Sequence, residues 1–165
     1  METRKNIRLR DYDYSQPGYY YITICTCDRQ PLFDSWVGAH LCVRPDRTPD
    51  DPVGSWLFEL ERKFPGTEID TYCVMPDHIH VILVLTGAHA GAPLPEIIKW
   101  YKTQTINAYI RMVRCGECPP FHDHVWQRGY YEHVIRHDEE LMEVRDYILQ
   151  NPLKLTTETE ETPNG

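Results

Sequence analysis

Apolar and polar positions along the chain alternate with two different periods, and the switches between them delimit seven elements. Tyr19 to Thr26 (YYYITICT) alternates β-branched and aromatic residues with polar ones and predicts a strand, ended by Asp28 to Pro31. Ser55 to Phe64 (SWLFELERKF) puts Leu57, Leu60, Glu61 and Phe64 at helical spacing, with Pro65-Gly66 as the stop. Thr67 to Met75 is a second strand. It runs through the tight turn Pro76-Asp77 into Ile79 to Leu85, which is apolar throughout except for His80, so the pair predicts an antiparallel hairpin. Leu94 to Val113 is the longest helix, with Ile97, Ile98, Tyr101, Thr105, Ala108, Tyr109 and Met112 in one stripe. Gly129 to Arg136 predicts a fourth strand. Asp138 then opens a last helix with Glu139 and Glu140 in its first turn, ending near Gln150 or Asn151 at Pro152. Residues 34–53, rich in proline and aspartate, predict a long loop, with His40 to Val43 long enough for a minor strand.

The order strand, helix, strand, strand, helix, strand matches the split βαβ of a ferredoxin-like antiparallel sheet, an α+β fold. The two crossover helices then cover one sheet face. The other face stays available to a substrate, with the extra C-terminal helix, which carries Tyr147, beside it.

Composition narrows the setting. The 165 residues suit a single domain, taken as 1–153, followed by an acidic tail over 154–165 expected to be disordered. No stretch reaches the length of a membrane span and the N-terminus lacks the apolar core of a signal peptide, so the expectation is a cytoplasmic protein with reduced cysteines. A net charge of −8 argues against holding nucleic acid by bulk charge. Local basic positions remain, notably Arg4, Lys5, Arg8 and Arg10 near the start, Lys99 and Lys102 off the apolar stripe of the long helix, and Arg128.

Candidate chemistry centres on His78-Ile79-His80. Side chains on a strand alternate faces, so both imidazoles point the same way, while Ile79, Val81, Leu83 and Leu85 point into the core. Two imidazoles side by side can hold one divalent cation, provided a third ligand arrives from another element. The competing reading is two inert, hydrogen-bonded histidines on a half-exposed sheet. On the last helix Tyr147 and Asn151 fall about 40° apart and one turn apart, at the edge of the stripe formed by Leu141, Val144 and Ile148. A helix packed across the histidine strand would therefore bring a hydroxyl and an amide together beside the pair. Cys115 and Cys118, followed by His122 and His124, are spaced too tightly for the usual zinc-finger pattern.

The blocks PDHIHVI at 76–82, VWQRGYYEHVIR at 125–136 and DYILQNP at 146–152, together with the opening RLRDYDYSQPGYYYITICTCDRQPLF, resemble the single-tyrosine HUH transposases. More narrowly, they resemble the REP-associated tyrosine transposases, which act on single-stranded hairpin DNA. The resemblance spans residues 8 to 153. It implies His78, His80 and Asn151 as ligands of Mg2+ or Mn2+, with Gln150 the competitor of Asn151, and Tyr147 as the nucleophile. It implies cleavage and strand transfer of DNA through a 5′-phosphotyrosine, by a monomer or a homodimer. Arg4, Lys5, Arg8, Arg10, Lys99, Lys102 and Arg128 are the expected DNA contacts. Three alternatives stay open: a catalytically silent hairpin-DNA binder of the same fold, a metal-dependent DNA hydrolase that forms no covalent intermediate, and a small zinc-stabilised regulator using Cys115 and Cys118.

Overall fold

The computed structural model describes residues 12–36, 52–87 and 92–160, the last eight of them as backbone. Arg4, Lys5, Arg8 and Arg10, the segment His40 to Val43 and residues 161–165 lie outside the described residues.

The elements are β1 (Gly18–Cys25), α1 (Pro52–Lys63), β2 (Thr67–Met75), β3 (His78–Leu85), α2 (Leu94–Arg114), β4 (Tyr131–Ile135) and α3 (Asp138–Glu160). The four strands form one antiparallel sheet in the order β2-β3-β1-β4. This is the split βαβ arrangement, with β1 and β3 central because each carries an unbroken apolar row that only a strand flanked on both sides can use.

Alternation then divides the sheet. On one face Tyr20, Ile22 and Ile24 of β1 and Ile79, Val81 and Leu83 of β3 are wholly buried beneath Leu57 and Leu60 of α1 and Leu94, Ile97 and Tyr101 of α2. The second face has a smaller apolar cluster. Cys73, Met75, Ile82 and Ile135 pack there against Leu141 and Ile148 of α3, with Tyr19, Tyr21 and Val144 at its margin. In β2 the register shifts between Ile69 and Thr71, which leaves Asp70 as an extra residue facing α3. Arg145 clasps it through both guanidinium edges, Nε to Oδ2 at 2.9 Å and Nη2 to Oδ1 at 2.5 Å, and so pins α3 to β2.

The helix stop expected at Pro152 is overturned: α3 continues through this proline to Glu160. An interior proline loses a backbone bond and crowds the preceding turn, at a cost of about 3 kcal/mol, and burial of the Pro152 side chain offsets part of it. Residues 154–160, expected in a disordered tail, are thus the end of that helix. Asn151 consequently sits inside the helix, and its place one turn beyond Tyr147 is set by helix geometry. Helix α1 also starts at Pro52 rather than Ser55, proline being well suited to a first helical turn. Among the described residues no helix is long and apolar enough to cross a membrane.

Candidate active site

Strand β3 delivers both histidines to the face under α3. His78 pairs with Cys25 of β1 and Met75 of β2, while His80 pairs with Thr23 of β1 and Cys73 of β2. Their Nε2 atoms face each other at 3.1 Å. The two Nδ1 atoms are held differently. That of His78 donates to Asp77 Oδ1 at 2.6 Å, and Asp77 Oδ2 in turn accepts from Arg29 Nε at 2.8 Å. That of His80 meets two hydroxyls, Thr23 Oγ1 at 2.9 Å and Tyr21 Oη at 3.0 Å, with the Tyr21 ring stacked on the imidazole.

These outer partners set the tautomers. A carboxylate only accepts, so it fixes the proton of His78 on Nδ1 and leaves the Nε2 lone pair free. Hydroxyls donate or accept, so His80 can place its proton on Nε2, facing His78, or on Nδ1, freeing its own lone pair. Burial drives the His80 pKa down to about 3, with the neighbouring charges of His78 and Arg29 adding to the effect. Burial also lowers that of His78, against the opposing pull of Asp77. Both rings are therefore neutral at neutral pH, the form that ligates metal.

The donor set fits a divalent ion. Two nitrogens bound at right angles about 2.1 Å from one ion lie about 3.0 Å apart, which matches the Nε2 separation. Outer-shell bonds on both Nδ1 atoms are the usual companions of metal-ligating histidines. Among the described residues no group of three or more His, Cys, Asp or Glu side chains could hold a metal ion, so within them a third ligand beside the two histidines would be of another type. Asn151 has its side-chain nitrogen buried with no hydrogen-bond partner. Since an amide flip exchanges nitrogen and oxygen, that position equally suits an acceptor oxygen.

Helix α3 supplies the hydroxyl. The Tyr147 ring lies edge-on to His80, with centroids 5.6 Å apart, and the side chain is 46 % exposed, within reach of a macromolecular substrate. The burial of Leu141 and Ile148 and the Arg145–Asp70 clasp fix the helix on which Tyr147 stands.

Of the basic residues singled out in the sequence, Lys99 and Arg128 are exposed. Lys102 is turned inward, its ammonium donating to the carbonyls of Gln127 (2.9 Å) and Gly129 (2.6 Å). Cys118 is buried in the main core and Cys115 is exposed just past α2. Sequence reasoning missed Thr23 and Tyr21, read only as strand residues, and Arg29. It took Asp77 as a turn former. Strand pairing signals Thr23, which the register sets opposite His80, but nothing local signals Arg29.

Comparison with known proteins places the chain in a family. The model of the family described as "Transposase IS200 like" matches residues 15–151, a span that includes both histidines, Tyr147 and Asn151. The chain belongs to that family of transposases. A Haemophilus influenzae protein whose name assigns it provisionally to the REP-associated tyrosine transposases is 32 % identical over 156 residues, covering 86 % of this chain and 74 % of the relative. An uncharacterized protein of the same organism is 27 % identical over 166 residues, covering 91 % and 88 %. Among solved structures, a REP-associated tyrosine transposase bound to a REP hairpin superposes with a TM-score of 0.61 at 22 % identity, covering 88 % of this chain and 72 % of that one. A Deinococcus radiodurans protein provisionally described as a transposase gives 0.51 at 19 % identity, covering 86 % and 94 %. Both superpositions support the fold.

Proposed function

We propose that this transposase cuts and rejoins single-stranded hairpin DNA through a covalent 5′-phosphotyrosine on Tyr147. The observation that carries the reading is the meeting of Tyr147 with the histidine pair, its ring 5.6 Å from His80, whose Nε2 lies 3.1 Å from that of His78. His78, His80 and Asn151 would hold Mg2+ or Mn2+, and the ion would supply Lewis-acid polarisation of the scissile phosphate. Asp77 keeps the His78 lone pair directed at that position, and Thr23 and Tyr21 hold the His80 ring and can accept its Nδ1 proton, which frees the His80 Nε2 lone pair for the ion.

Chemistry follows from the hydroxyl. Tyr147 Oη forms a bond to phosphorus as the bond from phosphorus to the 3′ oxygen breaks. The phenol proton passes to solvent, and the departing oxygen takes up a proton to become a free 3′ hydroxyl. The phosphodiester is conserved as a phosphotyrosine ester, so attack by a 3′ hydroxyl on that ester rejoins DNA without a nucleotide cofactor. Hairpin DNA is the substrate class because the family relationship and the fold shared with a hairpin-bound transposase both point there.

The test is incubation with a pool of single-stranded hairpin DNAs and Mg2+ or Mn2+, followed by denaturing electrophoresis. A protein–DNA band that survives denaturant, and disappears in Tyr147→Phe and His78→Ala, is expected. Cut DNA without that band would replace the reading with hydrolysis. Tight binding with no cutting would leave only a hairpin binder.

A further inference from the structure

Arg29 stands on backbone that proteins seldom use without cause. Asp28 and Arg29 are consecutive residues with positive φ, 53° and 56°, and neither is glycine. The turn is nevertheless tightly held. Arg29 N donates to Thr26 O and Gln30 N to Cys27 O, while Thr26 N donates to the carbonyl of Asp77 and the single Thr26 hydroxyl proton is shared between the carbonyls of Gln30 and Asp77. The end of β1 is thereby clipped to the hairpin turn that carries His78.

That conformation folds the Arg29 side chain back over the site. Nε donates to Asp77 Oδ2 at 2.8 Å and Nη1 to Cys25 Sγ at 2.9 Å, while the side chain stays 46 % exposed. Asp77 is the carboxylate that also holds His78. Two of the three guanidinium nitrogens are thus spent on orientation. Nη2 makes no hydrogen bond among the described residues. Asp77 already takes up Nε, so the group left to meet a further anion on this face is Nη2.

We propose that Arg29 is a DNA-phosphate contact of the active site, with Nη2 offered to a backbone phosphate of the strand lying across His78 and His80. This rests on the preceding reading in one respect, that single-stranded DNA occupies this face. A planar guanidinium held at two nitrogens is already oriented before DNA arrives, so the contact costs little ordering of the side chain.

Binding of a fluorescent single-stranded hairpin pool in EDTA, titrated across salt, tests it apart from cleavage. Replacing one phosphate contact should reduce the slope of log K against log salt by about 0.7. Arg29→Gln is expected to show that reduction with every hairpin bound by the wild type, and to keep it in an Asp77→Asn background. Arg29→Lys, which retains the charge, should keep the slope while binding several-fold more weakly, and it decides the matter if Arg29→Gln does not fold. A slope unchanged in Arg29→Gln overturns the proposal. So does a reduction that vanishes with Asp77→Asn, since the effect would then come from an unpaired carboxylate. The covalent band is read separately: wild-type binding with no band sinks the phosphotyrosine reading and leaves the Arg29 contact to be judged by its slope.

Discussion

Strand β3 makes two different surfaces from eight residues. Towards α1 and α2 it presents Ile79, Val81 and Leu83, all fully buried in the larger apolar cluster. Towards α3 it presents His78 and His80, each held by specific polar partners, followed by Ile82 under the helix. The first face is generic: any close-packed aliphatic set would close it. The second depends on particular atoms, because each buried ring nitrogen must find a partner of the right polarity. On the proposed mechanism, fold and chemistry are carried by alternate residues of one strand, and substitutions on its two faces should separate them.

The largest separation is expected on the histidine side. His80→Ala should lower covalent adduct formation by about 10³-fold or more, as loss of metal-assisted phosphate polarisation implies. It should cost only about 1 kcal/mol of stability from the hydroxyls of Thr23 and Tyr21 left behind. On the opposite face Leu83→Ala should cost about 2–5 kcal/mol by opening a cavity in a fully buried position. It should leave the rate per folded molecule near that of the wild type. Urea unfolding and single-turnover adduct assays on both variants measure this. Equal stability losses would erase the proposed division between the faces.

Acid should expose the same contrast. The His80 pKa is held at about 3 by burial, then by His78 and Arg29, against 6.5 when free. Below about pH 6.5 the unfolded chain takes up a proton that the folded chain refuses. Stability is full above that pH and falls as pH drops towards 3, by about 2 kcal/mol at pH 5. His78, also lowered, adds in the same direction. Asp70 and Asp77 are held below 3.8, so their contribution is lost only in more acidic solution and does not confuse the window. The urea midpoint should fall between pH 7 and pH 5 in the wild type and clearly less in His80→Gln. Parallel losses would mean that His80 is not buried in its neutral form.

How much of this was legible in the sequence differs between the two faces for the same physical reason. Periodicity reports burial, so all seven elements, the ferredoxin-like order and the shared face of His78 and His80 follow from residue pattern alone. The spacing of Tyr147 and Asn151 on one helix edge was legible too. Periodicity does not report which distant polar atoms meet. Asp77 looked like a turn former because turns favour aspartate, and its bond to His78 depends on the hairpin geometry. Arg29 reaches the site only because the turn after β1 is clipped to Asp77, forty-eight residues on. Pro152 misled for a third reason: local propensity gives the cost of an interior proline but not the burial that offsets it.

Lys102 shows the smallest expected effect and the same lesson from the other side. By spacing it sits off the apolar stripe of α2, like Lys99, and both are candidates for phosphate contact. In the folded protein its ammonium donates to the carbonyls of Gln127 and Gly129 and lies 5.8 Å from the centre of the Tyr130 ring, while Lys99 stays exposed. Those bonds brace the segment that leads into β4. Lys102→Ala should therefore cost about 1 kcal/mol of stability and leave the salt slope of DNA binding close to that of the wild type. Lys99→Ala should do the reverse, lowering the slope slightly with no change in the urea midpoint. If Lys102→Ala lowers the slope and Lys99→Ala does not, the ammonium leaves its carbonyls for DNA, and the strand must then run along α2 towards Gly129.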